Sequence, residues 1–226
     1  IIVPVYNVEK YLRTCLDSIV NQKTDYSFHV VVVNDESTDR SREILEQYSG
    51  FSGFSIINQK NGGSAKARNT GLKRVNGRYI MFVDADDFLP ENAVDSLMNA
   101  AYAMDADIVQ GGYFNTDENG EKHTTGKRYA RCDDVAPNGC LAGMPWGKVY
   151  KAELFTHVRF PENYLHQDTI ITSIITHLAK RIVTISDMVY FDSRKSWMAR
   201  FSLTSIMNSL IDCPVISLTF LYRIVL

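Results

Sequence analysis

The densest chemistry in this sequence is the string Val83-Asp84-Ala85-Asp86-Asp87, in which three carboxylates follow an apolar run. Like charges crowded at the end of a buried strand repel one another unless a cation neutralises them. Hard divalent ions such as Mg²⁺ or Mn²⁺ take oxygen from one or two carboxylates and complete their shell with diphosphate oxygens and water. An Asp-x-Asp pair at a strand end, here Asp84 and Asp86, therefore suits a metal-bridged diphosphate. The competing reading is a solvated turn with a helix cap ahead of Pro90.

Other strings carry weaker signals. Val33-Asn34-Asp35-Glu36-Ser37-Thr38-Asp39 sets an acid directly after another apolar run. Asp35 can accept from the N–H of a uracil ring or from a ribose hydroxyl, while Ser, Thr and Asp there are equally good turn and cap residues. In Pro4-Val5-Tyr6-Asn7, Tyr6 offers a ring for base stacking and Asn7 an amide. In Asn61-Gly62-Gly63-Ser64-Ala65-Lys66-Ala67-Arg68-Asn69, the glycines permit close backbone approach before a helix N-terminus. Lys66 and Arg68 can there meet phosphate or ribose. The glycine spacing matches neither a Walker A loop nor a dinucleotide fingerprint. No GxSxG or HExxH string occurs.

These residues need elements to hold them. Ile1–Val5, Phe28–Val33, Phe54–Ile57 and Tyr79–Val83 read as strands, the longer apolar runs as strands buried on both faces. Between them, Lys10–Gln22, Asp39–Tyr48 and Gly63–Val75 read as helices, and Pro90 and Glu91 start another that ends near Met104. Strand and helix in alternation predict a mostly parallel sheet with right-handed crossovers. Beyond Asp107 the pattern predicts a strand at Asp107–Phe114, a turn at Asp117–Gly120 and a returning strand at Lys122–Tyr129. A loop over Asp133–Gly147, a helix at Gln167–Ala179 and short strands at Arg181–Ile185 and Met188–Phe191 follow. The expected organisation is one α/β domain whose residues 1–106 form a nucleotide-binding half and whose residues 107–196 complete it on the acceptor side. A helical segment over 197–226 follows, and both termini are expected to be trimmed.

Composition narrows the partners. With 226 residues, 45% apolar and 22% charged, the chain can bury a full core. A net charge of −2 argues against a broad nucleic-acid-binding face. The four cysteines, Cys15, Cys132, Cys140 and Cys213, show no CxxC spacing and are expected to be free thiols. No apolar run approaches the ~20 residues of a membrane span. Pro214–Leu226 is short and interrupted by Arg223, which suits a packed terminal helix, with an interfacial anchor as the alternative.

Taken together and in this order, the strings resemble the family 2 glycosyltransferases, inverting enzymes of the GT-A fold. The resemblance is carried by PVYNVEKYL at 4–12, VVNDESTDRS at 32–41, NGGSAKARNTGL at 61–72 and GRYIMFVDADDFL at 77–89. Looser matches are MPWGKVYKAEL at 144–154 and FPENYLHQDTIIT at 160–172. The resemblance implies that Pro4, Tyr6, Asn7 and Glu9 line a nucleoside pocket and that Asp35 reads the base, usually uracil. It implies that Asn61 and Arg68 flank the nucleotide, that Asp84, with Ala85 beside it, reaches the ribose, and that Asp86 binds the metal. Asp87 would be a structural acid. Asp168 matches the Asp of the family's usual Glu-Asp dipeptide, the catalytic base, with Gln167 where Glu is usual. Gln167 is then a candidate acceptor contact, and Trp146 is either a stacking platform for an acceptor sugar or a core side chain. Glu36 stands where the family often has Gly and must take the backbone geometry Gly would supply. Arg194, Lys195 and Ser196 are candidate matches to a basic segment after the last strands.

The expected activity is metal-assisted transfer of a sugar, with inversion, from a nucleoside-diphosphate donor, a UDP-sugar by preference, to an acceptor hydroxyl. The expected cofactor is Mn²⁺ or Mg²⁺, and the acceptor a saccharide, lipid-linked or protein group. Polysaccharide assembly in the bacterial cytoplasm, with peripheral membrane association left open, follows from the resemblance alone. A non-catalytic sugar-nucleotide-binding subunit and a nucleotidyltransferase are the alternatives.

Overall fold

The computed structural model describes residues 1–116, 122–136, 141–164 and 167–193. The Asp117–Gly120 turn, Cys140, Cys213, Arg194 to Ser196 and the Pro214–Leu226 tail lie outside the described residues. Strands β1 (Ile2–Val5), β2 (Val30–Asn34) and β3 (Phe54–Asn58) pair in parallel, in that order. Their crossovers are helices α1 (Glu9–Val20) and α2 (Ser41–Glu46). Helix α3 (Gly63–Leu72) leads to β4 (Tyr79–Met81), and α4 (Ala93–Ala103) follows it. Phe82, just past β4, bridges Ile2 in parallel on one side and Trp146 on the other, so the sheet continues across this point.

Beyond it the strands reverse. β7 (Lys148–Lys151) lies between β4 and β5 (Ile108–Thr116) and is antiparallel to both. β6 (Lys122–Lys127) pairs antiparallel with the end of β5, from Tyr113 to Thr116, and β8 (Ile182–Ser193) pairs parallel with β5 from Ile108 to Thr116. The expected pair of short strands at the chain's end is thus one strand. Its register slips between Gln110 and Gly112, with Ser186 and Asp187 turned outward. A Cβ on Gly111 would stand 2.6 Å from a Val189 methyl carbon, so β8 can lie this close only against glycine.

The helices follow their apolar spacing. α1 buries Leu12, Cys15, Leu16 and Ile19, one stripe of an amphipathic helix. α4 buries Ala93, Val94, Leu97 and Ala101. α3 carries small residues instead, Ala65, Ala67 and Gly71, and so lies against β1 and β2 closely enough that a Cβ at position 71 would meet Ile2 at 2.5 Å. The 167–179 segment departs from the expected regular helix. It is α-helical at residues 169–170, π-helical over Ile171–Ile175 and α-helical again at Thr176–Leu178. Wide turns of this kind occur often where a helix serves a site. No helix among the described residues is long and apolar enough to cross a membrane.

Candidate active site

Parallel strands deliver their C-terminal ends to one edge of the sheet, which is where open α/β sheets bind ligands. Here the ends of β1, β2 and β4 carry Tyr6-Asn7, Asp35 and Asp84 to Asp87 respectively. The turns behind β1 and β2 are knitted together. The Asn7 Oδ1 accepts the backbone N–H of Thr38 at 2.8 Å, and the Asp39 Oδ2 accepts that of Glu9 at 2.9 Å. The Glu9 Oε2 returns the bond to the N–H of Arg40 at 2.9 Å. Asn7 and Glu9 therefore shape the wall of this edge with carboxylate and amide oxygens already committed to backbone. Pro4 sits within β1 opposite Val33, and the Tyr6 ring, 50% exposed, remains open for stacking.

Asp35 is buried, and its carboxylate gathers the start of α3. It accepts the N–H of Gly62 at 3.1 Å, that of Gly63 at 2.8 Å and the Gln59 amide at 2.6 Å. A carboxylate has about four acceptor positions, so an incoming N–H would join a well-held group. Asn61 donates from Nδ2 to the Asp35 carbonyl at 3.1 Å. Glu36 takes φ 64°, the left-handed geometry that Gly adopts freely, and its side chain accepts the Asn61 N–H at 3.1 Å.

At the end of β4 the three acids diverge in environment. Asp87 is buried, accepting from the Tyr190 hydroxyl at 2.8 Å and the Ser193 N–H at 2.8 Å. Burial, with Asp86 and Asp84 nearby, pushes its carboxyl well above the usual range. Asp84 is also raised by burial, while Arg68 opposes the shift and the charges of Asp86 and Asp168 add to it. Ala85 is buried, and Asp86 is half-buried on the same turn. Beneath this turn the Cys15 thiol is pushed up by burial and by the three acids. Among the described residues no three His, Cys, Asp or Glu side chains converge as a metal cage. A hard oxygen donor on Asp86 beside two raised acids nonetheless fits a Mg²⁺ or Mn²⁺ ion whose remaining ligands are phosphate and water.

Asp168 faces this group from the segment that precedes the π-helical turn. The Arg68 guanidinium donates to Asp168 Oδ1 at 2.9 Å and to Asp84 Oδ1 at 2.8 Å. Arg68 is 3% exposed, whereas the Asp168 side chain retains 39% exposure. A catalytic base at Asp168 is expected to stand clear of any buried ion pair, and the structure corrects this, since the buried Arg68 guanidinium pairs with it. Arg68, expected beside the nucleotide, is turned inward between two acids. Gln167 donates to the Ser64 hydroxyl at the start of α3, one residue from Asp168. Trp146 is not an open platform. It is 5% exposed and stacks on Tyr190 with ring centroids 4.4 Å apart, so its packing reading replaces the acceptor role. Two participants were invisible in the sequence. Tyr190 sits in an apolar stretch with nothing to mark its hydroxyl. Lys148 is wholly buried below the 144–146 turn, donating to the Met144 carbonyl at 2.6 Å. A separate cavity of about 430 Å³, lined in part by Tyr26, His29, Arg74 and Tyr102, lies at the opposite ends of β1 and β4 and holds none of these acids.

The family model of Glycosyl transferase family 2 matches residues 1–166. The chain is 35% identical to glycosyltransferase GlyA of Streptococcus pneumoniae over 229 aligned positions, covering 94% of this chain and 33% of that protein. It is 32% identical to glycosyltransferase GlyG of the same organism, covering 87% of this chain and 70% of that protein. The chain thus spans a third of the first relative's length. Among solved structures, Staphylococcus aureus TarS 1-349 in complex with UDP-GlcNAc matches with TM-score 0.78 and 25% identity, over 94% of this chain and 66% of that one. The architecture is that of the GT-A fold, with a parallel β1-β2-β3 sheet.

Proposed function

From the premise that this chain belongs to Glycosyl transferase family 2, we propose that it transfers a sugar from a UDP-sugar to an acceptor hydroxyl with inversion at the anomeric carbon. The observation that carries the reading is the meeting of Asp84, Asp86 and Asp168 at one edge of the sheet, with Arg68 joining the first and last. The Tyr6 ring stacks on the base, and Asp35 accepts its N–H at the start of α3. Asp84 meets the ribose. Asp86 would hold Mn²⁺ or Mg²⁺, which offsets charge building on the leaving diphosphate. Asp168 takes the proton of the attacking hydroxyl from its exposed side, opposite the leaving group, and one displacement from one face inverts the centre. The relative complexed with UDP-GlcNAc supports a uridine donor. The donor sugar, a saccharide, lipid-linked or protein acceptor, and association with a membrane face belong to this proposal only as open classes.

The test is donor hydrolysis over a panel of UDP- and GDP-sugars with Mn²⁺, since slow hydrolysis needs no known acceptor. Release of UDP above the protein-free rate, with UDP outcompeting GDP, is expected. Binding without turnover of any donor or transfer to any acceptor would favour a non-catalytic subunit, and preference for GDP would reject the uridine assignment.

A further inference from the structure

We propose that Arg68 is a positioning residue for Asp168, locking it to the strand-end acid Asp84. The proposal rests on the reading of Asp168 as the base. Each terminal nitrogen of the guanidinium donates to a carboxylate, at 2.9 Å to Asp168 and 2.8 Å to Asp84. The Phe160 ring covers the group, with the guanidinium carbon 5.4 Å from its centroid. Each terminal nitrogen keeps a second N–H, so the two ion pairs can persist whatever else the group donates to. The planar fork sets the separation of the two carboxylates, which a single ammonium cannot do.

The rest of α3 acts in the same sense. Asn69 donates to the Phe160 carbonyl at 2.9 Å and accepts the Phe160 N–H at 2.9 Å, a two-way clasp on the backbone. It also donates to Glu162 at 3.0 Å. Ser64, one turn earlier, receives Gln167. One helix therefore grips the segment that carries Asp168 at three points, while its first residues hang on Asp35. The nucleoside wall and the base share a single rigid element, and Arg68 is its link to the reacting edge.

The test is a double-mutant cycle of Arg68→Lys with Asp168→Asn, reading single-turnover transfer and UDP affinity. If Arg68 acts by placing Asp168, Arg68→Lys should slow transfer by roughly 10–100-fold in the parent, the scale of a misplaced reacting group. In the Asp168→Asn background it should then cost less than about threefold, because coupled residues are not additive. UDP affinity should stay within about threefold. An equal loss in both backgrounds, or a loss of UDP affinity of tenfold or more at unchanged saturated rate, overturns the proposal. If the lysine variant does not fold, Arg68→Met enters the same cycle. If neither folds, Arg68 is a structural cross-link and the positioning role is withdrawn. Transfer at the parent rate by Asp168→Asn alone would remove the base reading itself, and is visible without any change at Arg68.

Discussion

The Tyr190 hydroxyl accepts the backbone N–H of Asp84 at 3.0 Å and donates to the Asp87 carboxylate at 2.8 Å, joining β8 to the end of β4 across 106 positions of sequence. Tyr190→Phe keeps the ring stacked on Trp146 and removes both bonds. We expect a loss of about 1–3 kcal/mol, since a buried N–H and a buried carboxyl each lose a partner. We also expect Mn²⁺-dependent UDP affinity to fall roughly tenfold, the usual scale for residues that orient ligands from behind. Urea denaturation and calorimetry read the two effects. Unchanged values in both would deny the relay a role.

Asp86→Asn should separate binding from stability. The Asp86 charge raises both Asp84 and Asp87, so its removal relieves repulsion and the ligand-free protein should melt at the same or a higher temperature. UDP affinity in Mn²⁺ should drop to the value measured in EDTA. An affinity equal to the parent's in Mn²⁺ would move the metal role elsewhere.

Asp168→Asn keeps the shape and can still accept from Arg68 while losing basicity. Transfer should fall by roughly 10²–10⁴-fold, the worth of a general base, with UDP affinity nearly constant. Rapid-quench transfer assays measure the first quantity and calorimetry the second. A transfer rate like the parent's would exclude Asp168 as the base.

Glu36 tests backbone strain against a hydrogen bond. Its left-handed φ of 64° is unfavourable for a residue with a Cβ, and its carboxylate accepts the Asn61 N–H. Ala at this position keeps the strain and loses the bond, whereas Gly loses the bond and relieves the strain. Glu36→Gly should therefore be more stable than Glu36→Ala by about 1 kcal/mol. Denaturation midpoints in the reverse order would show a turn that rearranges on substitution.

Lys148 predicts a pH dependence. Burial pulls its ammonium down to about 7, with Asp168 opposing the shift. Between that value and the ordinary lysine value of about 10.4, the unfolded chain holds a proton that the folded chain lacks. Stability gains from this group as pH rises through the window, by at most about 1.4 kcal/mol per unit, and is lost as pH falls towards 7. Lys148→Met removes the slope. Chemical denaturation at two alkaline pH values should show the parent gaining on the variant at the higher one. Parallel lines would mean the ammonium stays charged throughout.

How much was legible in the sequence can be judged residue by residue. The β-branched run at Val30–Asn34 and the stripe Leu12, Cys15, Leu16, Ile19 encode their elements locally, because periodicity and burial coincide there. Parallel crossovers then oblige Tyr6, Asp35 and Asp84 to share one edge. The strand β7 was not legible. Its first residue is a lysine, and only the carbonyls of Met144 and Trp146, brought over it by the chain, make burial of that ammonium tolerable.

The sequence by itself determined the alternation of strand and helix, the order of those elements and the acids at their ends, since these follow from local patterns read in order, whereas the GT-A architecture came from the family resemblance. Tertiary structure decided what each polar group touches. Trp146 is equally suited to a sugar or a core, and became core because Tyr190 arrives from β8 to stack on it. Arg68 carries the charge a phosphate would want, and turned inward because Asp168, one hundred positions away, folds to within 2.9 Å. Charge and ring type specify what a side chain can bind, and only the distances set by packing choose among its partners.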